Sequence, residues 1–409
     1  MLWIIIISLT IILFLILFLI LLFVIVRKII RFTPKANFPN KRIAIIGSGP
    51  AGIISAKKLQ ERGYKNITMY GKFNDSQVET FNIDGVVVDT QACFLHSGYE
   101  NSVGKLCKEE NFELVNIESH VFNKPENVQT NFNIFNIIKF FLVVIKHYYI
   151  TKNPDILSMN AQDFANKYGF KWPFEFLFLN GQLYGYENDI TAHSALSWYT
   201  SYDILSSETK TRIVKDGYQP LFRSILDRLN IKRTERLVHS VVKSSSDNSM
   251  NLTIDNGEIH NYDTVIVACV PSLLKSPIDS ILSPTDYDHT RIFYILYASL
   301  APRNIGVYYN YEVLNNQIYN KIIAYRCYGK TTEGFYIYGA LGYVTKDIDE
   351  MELHKQILPQ FVSILKAPMH KQIYWIVIDY NYRWSSHAIK ESRNKLANKF
   401  QGKDNVWYT

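Results

Sequence analysis

The sequence predicts a mixed α/β fold: a parallel-sheet unit and a region of antiparallel strands, preceded by one transmembrane helix. Three observations carry that expectation. An apolar run opens the chain. A glycine-rich turn sits between an apolar β-branched run and a helical pattern. Repeated β-branched and aromatic runs fill the second half. At 409 residues, 47% of them apolar, the chain is long enough for two packed units and an anchor.

The opening run, "MLWIIIISLTIILFLILFLILLFVIV", covers residues 1–26 with only Ser8 and Thr10 as polar interruptions. As a helix rising ~1.5 Å per residue it reaches ~39 Å, enough to cross a ~30 Å hydrocarbon core with tilt. No basic residue precedes it and no small-residue cleavage site follows, so it reads as an uncleaved anchor. The formal charge of +7 is concentrated just beyond it. Residues 1–50 hold Arg27, Lys28, Arg31, Lys35, Lys41 and Arg42 and no Asp or Glu, which leaves about +1 for the rest. A basic linker over 27–40 predicts a single-pass membrane protein with residues 27–409 in the cytosol and membrane lipid among its partners. That placement of charge argues against nucleic acid as a partner. The four cysteines, Cys93, Cys107, Cys269 and Cys327, form no Cys-x-x-Cys pair and no metal-ligand spacing with histidine, so they read as thiols. A second apolar stretch, "FNIIKFFLVVIKHYYI" (135–150), reads either as a core helix or as an amphipathic helix lying on a bilayer.

"RIAII" is the short β-branched run of a fully buried parallel strand. Gly47-Ser48-Gly49-Pro50-Ala51-Gly52 follows and matches Gly-x-Gly-x-x-Gly. Next comes a helical pattern with Ile53, Ile54, Ala56 and Leu59 apolar, closed at Gly63, and "NITMY" reads as a second strand. In such a Rossmann-type unit the first glycine makes the tight turn. The second lets backbone approach a pyrophosphate, and the third lets helix pack on strand. The helix start supplies N–H groups and a positive dipole end for phosphates. Later, "TRIFYILYASL", "NIGVYYNYEVL", "GFYIYGALGYV" and "QIYWIVIDYNY" predict antiparallel strands.

With these segments in this order, the chain resembles the flavin-containing amine oxidoreductases and their desaturase-like and cyclopiazonate-dehydrogenase-like relatives. "FNIDGVVVDTQACFL" resembles the family's strand pair after the second strand. "DGYQPLFRSILDRLNIKRTERLVHSVVK" is similar to its Gly-x-x-x-Leu helix and Val-x-x-Val strand, with Val238 at the adenine-contacting valine. "LTIDNGEIHNYDTVIVACVPSLL" resembles its meander and returning strand, and "YRWSS…LANKFQGKDNVWYT" the approach to its last flavin-binding turn. The resemblance implies FAD as cofactor, bound by Gly47, Ser48, Gly49, Pro50, Ala51, Gly52 and Val238. It implies a Rossmann-type FAD domain over 41–100, 206–271 and 386–409, interleaved with an α+β substrate domain of antiparallel sheet plus helices over 101–205 and 272–385.

Three departures bear on function. The family ends its second strand with an acid that binds ribose hydroxyls; here Gly71 stands there, 19 residues after Gly52, followed by Lys72. Asp75-Ser76 replaces a glycine pair near the cofactor. The chain ends at Thr409, where the family's final glycine turn is expected. Aromatic candidates for a substrate wall are Tyr184, Tyr186, Tyr338 and Trp384, and Lys321 or Lys330 is a candidate base; each of these is also an ordinary core or surface residue in a Tyr-rich chain. No catalytic residue is assigned. Two readings stand: a membrane-anchored FAD oxidoreductase that takes hydride from a C–N or C–C bond of a small hydrophobic substrate, or a degenerate relative that keeps the fold and holds flavin weakly or not at all.

Overall fold

The computed structural model describes residues 38–73, 78–90, 100–123, 134–170, 190–197, 211–269, 274–276, 283–310, 319–345, 347–392, 401–402 and 405–408. The anchor expected over 1–26, most of the 27–40 linker, Asp75-Ser76, Cys93, Tyr184 and Tyr186 lie outside the described residues.

Strands are numbered in chain order. A five-stranded parallel sheet joins β1 (Arg42–Ile46), β2 (Asn66–Tyr70), β7 (Lys232–Thr234), β11 (Thr264–Val267) and β17 (Val406–Tyr408) in the order β17-β11-β1-β2-β7. β1 is central, and four of its five residues are buried, which is why its sequence is continuously apolar rather than alternating. Ile43, Ile45, Ile67 and Met69 face one side. There they meet Ile53 and Ala56 of the helix Pro50–Glu61 and Leu221, Phe222 and Ile225 of the helix Tyr218–Arg228. Ala44, Ile46, Tyr70, Val265 and Val267 face the other side, against a three-stranded antiparallel sheet of β8 (Val238–Lys243), β9 (Met250–Ile254) and β10 (Ile259–Tyr262). The helix Pro50–Glu61 ends as its sequence predicts: the Gly63 N–H donates to the Gln60 carbonyl at 2.9 Å and the Tyr64 N–H to the Leu59 carbonyl at 3.1 Å.

The second body is a seven-stranded sheet in the order β16-β12-β15-β14-β13-β5-β6. Its strands are β5 (Leu114–Phe122), β6 (Thr211–Val214), β12 (Tyr287–Ser299), β13 (Gly306–Asn310), β14 (Ala324–Lys330), β15 (Tyr336–Tyr343) and β16 (Met369–Trp384). The four aromatic-rich runs form β12, β13, β15 and β16. β14 and the helix Glu350–Leu365 were not read from the sequence. That helix carries Leu353, Ile357, Phe361 and Leu365 at four-residue spacing, and they pack on Phe293, Ile295, Tyr325 and Cys327. The opposite face, with Tyr294, Leu296, Ala298, Tyr328 and Ile337, meets Val86 and Val88. Those valines belong to the hairpin β3 (Thr80–Ile83) and β4 (Val86–Asp89), which follows β2 in the chain.

The single-pass membrane placement is corrected. Among the described residues no helix is long and apolar enough to cross a membrane. The longest apolar helical stretch, Ile134–Val144 with its π-helical extension Ile145–Ile150, reaches about 25 Å at ~1.5 Å per residue, short of a ~30 Å core. It also packs inward. Phe140 and Val144 are buried with Leu157, Phe164 and Phe170, whereas Phe135, Ile138, Leu142 and Ile145 are exposed.

Candidate nucleotide and substrate site

The glycine turn sits above the C-terminal ends of β1, β2 and β11, where ligands bind in open parallel sheets. The Gly47 N–H donates to the Tyr70 carbonyl at 2.8 Å, and the Ala268 N–H to the Ile46 carbonyl at 2.7 Å, so three strand ends are locked around the turn. Gly47 has a φ of +114°, and a Cβ there would lie 2.3 Å from the Ala268 carbonyl oxygen. A Cβ on Gly52 would lie 2.0 Å from the Gly47 carbonyl oxygen, so only glycine lets the helix sit this close to the strand. Gly49 is the N-cap and makes no side-chain cap bond; Pro50 occupies the first turn, and no acid stands there. The helix start therefore keeps its positive end and its orphan N–H groups for an anion. Val238, at the start of β8, is buried in the cluster that holds Ile46 and Tyr70.

The residues present fit the diphosphate of FAD: a turn that admits no side chain at Gly47 or Gly52, and a helix N-terminus with neither side-chain cap nor acid. At the ribose end the fit differs from the family pattern. Gly71 stands at the end of β2 with Ser48 packed on it, and the Ser48 hydroxyl donates to the Lys72 carbonyl at 2.8 Å.

A second polar centre, missed in the sequence, joins the two sheets. Asp89, at the end of β4, is 3% exposed. Its Oδ1 accepts from the Thr80 hydroxyl at 2.5 Å and from the Tyr218 N–H at 3.0 Å. Burial pushes its carboxyl up to about 6, opposed by those two hydrogen bonds and by the Arg326 charge. Asp89 thereby caps the helix Tyr218–Arg228 from another element. Gly217 makes this possible: its φ is +92°, and a Cβ would lie 2.3 Å from Thr80 Cγ2 and 2.9 Å from Asp89 Oδ1. From the other sheet, the Tyr328 hydroxyl donates to the Asp89 carbonyl at 2.7 Å and lies 2.6 Å from the Tyr294 hydroxyl. The buried Arg326 guanidinium stacks on the Tyr328 ring at 4.1 Å from its centroid. The sequence signal was the alternation Ala324, Arg326, Tyr328 on one face of β14, which puts a cation on a face that packs inward.

Of the candidate wall residues, the described pair Tyr338 and Trp384 lie in different clusters. Tyr338 is fully buried on the sheet face turned toward the helix Glu350–Leu365, and its hydroxyl donates to the Ala301 carbonyl at 2.5 Å. Trp384 stacks on Tyr287 at 5.0 Å. Lys321 and Lys330 are exposed. Among the described residues no group of three or more His, Cys, Asp and Glu is placed to hold a metal ion. An open cavity of about 640 Å³, lined by Lys57, Tyr64, Glu110 and Arg228 among others, lies at the C-terminal ends of the two sheet-covering helices. It is remote from the glycine turn, which stands at the opposite end of the helix Pro50–Glu61.

Comparison with known proteins agrees with this architecture. The family profile for flavin containing amine oxidoreductase matches residues 155–293. No curated protein matches the sequence. Among solved structures, a CLA-producing fatty acid isomerase from P. acnes is similar with a TM-score of 0.73 and 15% identity, covering 91% of this chain and 93% of that one. Putrescine oxidase bound to putrescine is similar with a TM-score of 0.65 and 12% identity, over 90% and 93%. An oxidoreductase from Methanosarcina mazei gives 0.58 and 13%, over 84% and 89%. Residues 155–293 thus match the flavin containing amine oxidoreductase profile, and the fold of the isomerase and putrescine oxidase structures extends over about nine-tenths of this chain.

Proposed function

We propose that the chain is an FAD-dependent oxidoreductase of amine-oxidase type that removes hydride from a C–N or C–C bond of a small, largely apolar substrate. The observation that carries this reading is the uncapped, acid-free start of the helix Pro50–Glu61, set above the central strand behind a turn that admits no side chain at Gly47 or Gly52. Its backbone amides at Ala51 and Gly52 hold the diphosphate, Val238 borders the adenine, and FAD supplies the hydride acceptor.

The chain's own residues orient and exclude water. The sheet face that carries Tyr294 and Tyr328 is held against the nucleotide-binding layer through Asp89, which fixes the spacing between the two bodies. Further along that face Ile292 and Ile323 are buried with Leu341 packed against them, and apolar residues of this kind suit a hydrophobic substrate beside the sheet. Arg326 is the buried cation of the same face and biases it toward substrates without positive charge close to Tyr328.

The test is the visible spectrum of the purified full chain, followed by anaerobic mixing with a panel of amines and unsaturated acids. A yellow protein whose flavin bands bleach with one class supports the reading and names the substrate class. A colourless protein that takes up no added FAD sinks it and leaves the non-catalytic alternative.

A further inference from the structure

The glycine turn and the end of β2 meet at one pair of residues. A Cβ built on Gly71 would lie 2.5 Å from Ser48 Oγ, 2.8 Å from Ser48 Cβ and 2.9 Å from the Ser48 nitrogen. The Ser48 hydroxymethyl group therefore fills the space in which a side chain at position 71 would begin. In dinucleotide folds that position carries the acid that accepts hydrogen bonds from the adenosine ribose. Lys72, next in the chain, offers only donors on its side chain.

Ser48 is half-buried, and its hydroxyl proton is committed to the Lys72 carbonyl at 2.8 Å. A hydroxyl that donates in this way keeps lone pairs to accept with. The bond also fixes where those lone pairs point, because the oxygen is tied to the end of β2 rather than free to rotate.

We propose that Ser48 Oγ accepts the hydrogen bond from an adenosine ribose hydroxyl that the missing acid would otherwise accept, and that residue 71 is glycine because Ser48 occupies its side-chain space. The inference rests on the FAD reading above and deepens it. A neutral hydroxyl replaces a carboxylate here, so the contact is weaker than the family's charge-assisted one. An acid introduced at position 71 finds its Cβ position taken, and the substitution Gly71→Glu does not recover the family contact.

The experiment is calorimetric titration of the full chain, freed of flavin, with ADP, 2′-deoxy-ADP and 3′-deoxy-ADP, for wild type and Ser48→Ala. Wild type is expected to bind ADP roughly 3- to 10-fold more tightly than one of the deoxy ligands. In Ser48→Ala, ADP affinity falls to that of the disfavoured deoxy ligand, whose own affinity stays put. A Ser48 that merely stiffens the turn lowers all three affinities alike, which overturns the proposal. Equal binding of all three by wild type also overturns it. Absence of binding by every ligand to a folded wild type removes the nucleotide site itself, and with it the proposed function.

Discussion

The Tyr328 hydroxyl donates to the Asp89 carbonyl oxygen at 2.7 Å, across 239 residues of sequence. Asp89 also receives the Tyr218 N–H on its carboxylate, so one residue ties β14, β4 and the start of a sheet-covering helix together. The seven-stranded sheet is thereby registered on the helix that covers the parallel sheet. Removing the hydroxyl with Tyr328→Phe takes away the short bond to the Asp89 carbonyl and leaves it the longer one from the Tyr294 hydroxyl at 3.5 Å. The expected loss is about 1–2 kcal/mol in urea unfolding. No change in midpoint would mean the contact does not hold the two sheets.

Asp89 makes stability depend on pH. Its folded pKa, about 6, lies above the ordinary 3.8, so between those values the folded chain binds the extra proton. This group therefore favours folding most below about pH 4, and that contribution is lost as pH rises through about 6. Asp89→Asn keeps an acceptor for Thr80 and Tyr218 and removes the titration. The difference in unfolding free energy between wild type and variant should move toward wild type by roughly 2–3 kcal/mol on going from about pH 8 to about pH 4. A difference independent of pH would contradict the assignment.

Gly217 cannot accept a side chain. Alanine there meets Thr80 and Asp89 and forces a left-handed backbone on a residue with a Cβ. The expected cost is about 2–4 kcal/mol. Thermal unfolding of Gly217→Ala reads it directly, and a melting temperature within a degree or so of wild type would show that the helix start relaxes freely.

Gly52→Ala tests the turn. Its Cβ would press on the Gly47 carbonyl and push the helix off β1. FAD affinity should fall at least about tenfold, because the phosphate-facing amides move with the helix. An unchanged dissociation constant would separate flavin binding from this turn.

Much of the nucleotide-binding layer was legible. Buried parallel strands are continuous apolar runs, so "RIAII" and "NITMY" became β1 and β2, and Gly63 closed the first helix as its position predicts. The aromatic-rich strands were legible for the same reason. The helix Glu350–Leu365 was hidden because Pro359 and an even scatter of polar residues mask its four-residue stripe. Tyr338 and Trp384 could be read as wall or as ordinary core and surface residues, because strand parity decides which face a residue takes and composition carries no parity. The Asp89 centre depends on contacts between segments 129 and 239 residues apart, which no local pattern records. The absence of an acid at Gly71 was visible in the sequence, but the Ser48 side chain that fills the space beside it needed coordinates.

The most direct test of the central claim is equilibrium titration of the purified full chain with FAD, read by quenching of flavin fluorescence, with ADP as competitor. A backbone cradle at residues 47–52 predicts saturable uptake of one FAD per chain, displaced by ADP. Uptake that never saturates, or that ADP leaves untouched, would contradict it.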